Sequence, residues 1–175
     1  MTPRMLIFIP LAVIQLAVPG WIIYRQEQIL HHGREFKFQT APVDPYDAFR
    51  GRYVALQFAV VPPPDYTVRD RKIWVRFEAD ENGFAKIKEV CETPLAGDDV
   101  VMATRRYGRL QFPFDRYYME EMAAPKAETT YRANSRSEHQ NAYATVRVLN
   151  GHAAIEELYI EHKPIREFLR TESDK

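Results

Sequence analysis

From Met5 to Tyr24 the chain reads MLIFIPLAVIQLAVPGWIIY, apolar throughout except for Gln15 and preceded by Arg4. At about 1.5 Å of helical rise per residue, a run of about twenty residues matches a hydrocarbon core about 30 Å thick. Pro10 and the Pro19-Gly20 pair would weaken a helix in water, but membrane helices tolerate both residue types, and Trp21 and Tyr24 sit where interfacial aromatic anchors are found. The run therefore reads as a transmembrane signal anchor over 5–24, with residues 1–4 as a tail before it and the lipid bilayer as its partner. A cleaved signal peptide would need a shorter apolar region ending in a small-x-small pattern, and neither Ala17-x-Pro19 nor Val18-x-Gly20 supplies one. Charge does not orient the anchor, because Arg4 and the terminal amine oppose Arg25, Arg34 and Lys37 on the other flank. The commoner arrangement for an anchor with a short tail, an internal tail and an exported body, is the expectation.

The remaining residues have to make one domain, since 175 residues are too few for two ordinary domains and a membrane segment. Lys plus Arg and Asp plus Glu are equal at 24 each, so no net field is present to hold a polyanion, and nucleic acid is not an expected partner. Ten Tyr and ten Phe fall mostly in alternating runs rather than at helical spacing, which favours strands. The single Cys91 can form no internal disulfide and is expected to pack in or beside a sheet as a small apolar group.

Taken in order, residues 25–33 continue the helix as a stalk ended by Gly33, and the adjacent His31 and His32 read as solvated side chains rather than ligands, since neighbours on a helix diverge. A first strand covers 34–39 with Phe36 and Phe38 on one face and Lys37 on the other. Asp44 before Pro45 reads as a helix cap, Asp47 as the acidic residue of the first turn and Gly51 as its end. A second strand is expected from Arg52 to about Val61, burying Val54, Leu56, Phe58 and Val60, until Pro62-Pro63-Pro64 stops it. Hairpins follow at 72–91 and, around an Asn150-Gly151 type I′ turn, at 142–160. Strands are also expected at 100–107 and 110–114, a short strand and a short helix within 115–133, a loop at 134–141, another turn at 161–164, and a charged tail over 166–175. The fold class is mainly β: an N-terminal transmembrane helix followed by one antiparallel β-rich domain, 34–165, a small barrel or sandwich with one or two short helices.

The run Pro42-Val43-Asp44-Pro45-x-Asp47-x-x-Arg50-Gly51-x-Tyr53-Val54-x-Leu56 resembles the signature of the GDYXXLXY family, membrane-anchored bacterial proteins with an amino-terminal helix and a soluble domain of uncharacterised function. Arg116-Tyr117-Tyr118-x-x-Glu121 with the later Glu128, and the closing hairpin from Asn150-Gly151 to Pro164-Ile165, are similar to further family stretches. Arg52 stands where the family name has Asp, and Phe58 where it has the last Tyr, so any role of that acid in proton transfer or metal binding is closed to this chain. The resemblance implies a membrane-anchored, periplasmic domain, suggests a multi-pass membrane protein as partner, and implies no known reaction.

Two functions follow as expectations. The first is a non-catalytic binding or assembly module for a membrane or envelope partner, with Asp44, Asp47, Arg50, Gly51, Arg52, Tyr53, Leu56, Arg116, Glu121 and Glu128 as its candidate motif. The second is a small hydrolase or lyase using Asp44, Asp47, Glu121 and Glu128 as acid/base groups or cation ligands. The first is favoured because Asp44 and Asp47 are accounted for by capping, and no catalytic spacing is present. No G-x-S-x-G occurs, Ser135, Ser137 and Ser173 lie in polar segments, no glycine-rich loop could cradle phosphate and no His/Cys cluster could hold zinc, so no cofactor is expected. The sequence leaves the oligomeric state open.

Overall fold

The structure is a computed structural model and describes residues 3–41, 53–58, 60, 72–106, 109–120, 122–135 and 141–173. The apolar run lies within one helix, α1 (Pro3–His32), which continues through Pro10 and Pro19. Its large apolar side chains from Phe8 to Tyr24 are exposed, and the segment Phe8–His32, whose most apolar 18 residues have a mean hydropathy of 1.5, is by length and composition able to cross a membrane. Gly33 ends the helix, its N–H donating to the Ile29 carbonyl at 2.9 Å.

Strand β1 (Arg34–Ala41) begins at once. Its alternation works as the sequence predicts: Phe36 and Phe38 are buried while Lys37 faces the other way. The next strand departs from expectation. A single strand from Arg52 is replaced by β2 (Tyr53–Ala55) and β3 (Gln57–Phe58), which pair with different partners. Between them the Leu56 N–H donates to the Asp115 carbonyl at 2.8 Å, so the chain leaves one sheet and enters another while Val54 and Leu56 stay buried. Burial periodicity survives the change of sheet, which is why the sequence looks continuous.

The hairpin of β4 (Lys72–Ala79) and β5 (Ala85–Cys91) buries Ile73, Val75 and Phe77. Its turn is organised by Asp80, whose Oδ1 accepts from the Asn82 and Phe84 N–H groups at 2.9 Å each; the Phe84 bond, with its neighbours, holds the Asp80 carboxyl below the usual range. Then come β6 (Val100–Arg106), β7 (Arg109–Gln111), β8 (Arg116–Tyr118) and helix α2 (Ala124–Ser135), which runs two residues into the expected loop. The expected strand to Phe114 stops at Gln111, yet Phe112 and Phe114 remain buried. The last hairpin, β9 (Ala142–Leu149) and β10 (His152–Ile160), turns on Asn150 and Gly151 with φ of 47° and 82°, the left-handed pair that a type I′ turn needs. A short β11 (Lys163–Pro164) leads into helix α3 (Ile165–Ser173).

Helix α3 corrects the expectation of a charged tail. Ile165 and Leu169, four residues apart and therefore on one face, are buried, while Arg166, Glu167 and Arg170 face out. The density of charge hides an amphipathic helix.

The sheets are antiparallel: β11-β10-β9-β1-β3, β5-β4-β6-β7, and a ribbon of β2 with β8. Each large sheet docks a hairpin turn on an open strand edge of the other. The Lys37 N–H donates to the Gly83 carbonyl at 3.0 Å, and the Met102 N–H to the Gly151 carbonyl at 3.0 Å. Between the sheets lies an aromatic core built on Phe36, Phe38, Phe77, Phe112 and Phe114. The far end of the same face of β9 carries a second core, where Ala142 and Ala144 pack with Tyr117, Tyr131, Leu158 and the α3 residues Ile165 and Leu169. The mainly β expectation, a sandwich or small barrel with short helices, holds.

Candidate functional site

One irregularity in β10 shapes a polar groove on the domain. Ile155 pairs with Val146 and Glu157 with Thr145, leaving Glu156 as an extra residue, a bulge that re-aims the side chains on either side of it. Glu156 turns outward to Arg147, with Nε to Oε2 at 2.8 Å. Glu157 turns toward β8, where its Oε1 accepts from the Tyr117 hydroxyl and from the Leu158 N–H at 3.0 Å. Around this pair runs a groove of about 390 Å³, lined among others by Gln26 of α1, Arg116, Tyr118 and Arg166.

Burial first, and then the hydrogen bond and charge of Glu157, push the Tyr117 phenol far above its ordinary range, with Arg166 acting the other way. The phenol is thus a hydrogen-bond donor rather than an acid. Because it binds its proton more tightly folded than unfolded, its contribution is complete below the unfolded value of about 10 and is lost as pH climbs past it. Tyr117→Phe is expected to lower stability at neutral pH by about 1–3 kcal/mol, since the half-buried Glu157 loses its donor. It should also shrink the alkaline decline, leaving the part due to Tyr143 and Tyr159, which burial likewise raises. Urea unfolding at about pH 7 and about pH 11 measures both; an unchanged alkaline loss would assign it elsewhere.

Beside the groove, the end of α1 is gripped by the sheet. Ile29 is buried. Arg147 bonds both oxygens of Glu156, reaches Glu35 Oε2 at 2.8 Å, and donates to the Gly33 carbonyl at 3.4 Å. Arg25 donates to the His152 ring, whose pKa is lowered by burial and then by Arg25, keeping it neutral and able to accept. The stretch expected as a stalk is therefore packed against the domain. His31 meets Glu27 one turn back at 3.1 Å, and among the described residues no group of three or more His, Cys, Asp or Glu could hold a metal ion.

Of the residues singled out in the sequence, Arg116 lines the groove, with Asp115 3.6 Å from its Nε. Tyr53 reaches its rim by backbone pairing with Tyr118. Leu56 belongs to the second core. Glu128 is bonded to Arg132 one turn on in α2 and does not line the groove. Asp44, Asp47, Arg50, Gly51, Arg52 and Glu121 lie outside the described residues. Cys91 is half-buried on β5, its thiol donating to Glu89 at 3.2 Å and raised by that bond, which keeps it protonated and unreactive. Sequence reasoning missed Glu157 and Arg166; the signal for the first was the Glu156-Glu157 doublet interrupting an apolar strand.

Residues 15–158, from α1 to β10, match the family described as GDYXXLXY protein. No curated protein and no solved structure matches the chain.

Proposed function

The chain belongs to the GDYXXLXY family, and we propose that it is a membrane-anchored, extracytoplasmic binding or assembly module, with α1 across the bilayer and the β domain presented on the periplasmic side to a membrane or envelope partner. The observation that carries this reading is the joint between helix and sheet. Residues 25–33 are held by His152 and by Arg147, itself braced by Glu35, rather than hanging as a loose linker, so the domain is positioned by its helix. A tether of this kind raises effective concentration, and a weak contact at the groove suffices for assembly. The chemistry of the groove suits recognition: Arg116 and Arg166 offer fixed cationic donors and Tyr118 an exposed ring. A multi-pass membrane protein, the partner class that the family resemblance suggests, is the partner of this reading.

The experiment has two parts. Alkaline extraction should leave the full chain in the membrane pellet, and a carboxyl-terminal reporter should be active only when exported; activity solely in a cytoplasmic reporter reverses the orientation. A photo-crosslinker at Tyr118, followed by pull-down from membranes, should then trap a membrane or envelope protein. Absence of any crosslinked product from correctly inserted chain sinks the assembly reading.

A further inference from the structure

A second cleft, of about 610 Å³, adjoins the groove through Arg166, which lines both. It runs between the start of α2 and one side of α3, and among the described residues that line it Lys126, Arg166 and Arg170 stand against the carboxylate of Glu120. Its floor is apolar, from Met119, Ala123 and Leu169. In the groove itself both carboxylates are engaged, Glu156 by Arg147 and Glu157 by Tyr117. Glu157, bonded to a neutral phenol, keeps its charge on the groove side of Arg166, so the cationic excess of the cleft rests on Lys126 and Arg170.

Two further observations point to what this surface meets. Among the described residues outside α1, the exposed large apolar side chains are Tyr118 at 63% and Met122 at 87%, and they sit on the groove and the cleft respectively. The groove also begins at Gln26, two residues past Tyr24, which is about 3 Å of helical rise beyond the exposed apolar run. A bilayer crossed by α1 would place its headgroups at that level. Basic side chains flanking exposed Tyr and Met are the composition of a surface that rests in the interface of an anionic membrane.

Resting on the membrane-anchored reading above, we propose that the face formed by Tyr118, Met122, Lys126, Arg166 and Arg170 is a docking site for acidic phospholipid, the phosphodiester headgroup entering the cleft while Tyr118 and Met122 insert at the interface. The domain is then fixed to the membrane at two places, by α1 and by this face, which sets the tilt at which the groove is presented.

Hydrogen exchange of the full chain in lipid nanodiscs tests it. Amides of residues 116–126 and 165–171 should exchange more slowly in discs containing phosphatidylglycerol than in discs of phosphatidylcholine alone, and Arg166→Gln with Arg170→Gln should abolish that difference. Arg170→Gln alone, at an exposed position on α3, should reduce it about fivefold, in line with one basic residue at an anionic surface, and covers the case in which the Arg166 change perturbs Tyr117. Equal exchange in both discs overturns the proposal. So does slowing produced equally by inorganic phosphate added to phosphatidylcholine discs, because the site would then take a soluble anion. Alkaline extraction of the same chain separates the two levels: a retained protein with no lipid dependence loses only the docking face, whereas a released protein removes the anchor reading beneath it.

Discussion

Phe38→Ala is expected to cost about 3–5 kcal/mol of folding stability, the range for emptying a well-packed aromatic position. The side chain is 1% exposed, and its ring centroid lies 5.4 Å from Phe58, 5.1 Å from Phe77 and 5.2 Å from Phe114. Phe77 comes from the four-stranded sheet and Phe58 from the strand that returns from the ribbon, so one ring bridges elements far apart in the chain. Aromatic pairs at these separations add to the burial term, and no neighbouring backbone can collapse into the space without parting the sheets. Against a total of about 5–15 kcal/mol for a domain of this size, the loss is a large fraction. Chemical denaturation of the full chain in detergent should show it as a fall in midpoint at unchanged slope. Phe38→Leu, which keeps most of the volume, should cost about 1.5 kcal/mol or less. Equal effects of the two variants would mean that the rings do not share one tightly packed core.

The second large effect is expected at the joint. A Cβ built on Gly33 would lie 2.4 Å from the Ile29 carbonyl oxygen, 3.1 Å from Arg147 Cβ and 3.1 Å from the Val148 backbone nitrogen. Two of those three atoms are backbone and cannot rotate away, so Gly33→Ala has to push the end of α1 off β9. Overpacking of this kind costs about 1–3 kcal/mol, and here the strain falls on the bonds joining helix to domain, including Arg147 to the Gly33 carbonyl. Faster hydrogen exchange confined to residues 27–37, the end of α1 and the start of β1, with the other strands still protected, is the expected signature, together with loss of the crosslink from Tyr118. Wild-type exchange across 27–37 would show that the joint tolerates the methyl group and that glycine is not required there.

The carboxylate-dependent enzyme draws no support from the described residues. Glu128 is engaged by Arg132 within α2, and Asp44, Asp47 and Glu121 lie outside what the structure describes. The polar pair that is built, Tyr117 with Glu157, ties up the carboxylate and a strongly raised phenol in one hydrogen bond. Its chemistry is that of a strut, and it shapes the groove in which Arg116 and Arg166 are displayed.

Local order was legible wherever a short stretch carries its own instructions. The apolar run specifies a helix able to cross a membrane, because some twenty residues without charge have few other uses. Asn150-Gly151 specifies its turn, since only residues tolerant of positive φ close a two-residue hairpin in that geometry. Alternation along 34–41, 72–79 and 142–149 names the buried face of each strand before any partner is known. What depends on neighbours distant in sequence could not be read. The break at Leu56 exists because the Asp115 carbonyl waits for its N–H. The α3 helix is stable because the second core accepts Ile165 and Leu169. The placing of Glu157 depends on a bulge defined only against β9.

By itself, then, the sequence determined the family resemblance, the membrane-length helix, the strand-rich class and the inward faces, all properties of spacing within a few residues. The tertiary structure alone decided that the presumed stalk is a packed joint, that a charged tail is a helix, and that Arg116 and Arg166 line one groove beside α1. The physical reason is that burial, pairing register and pKa shifts are properties of contacts, and these contacts span more than a hundred residues between α1 and β10.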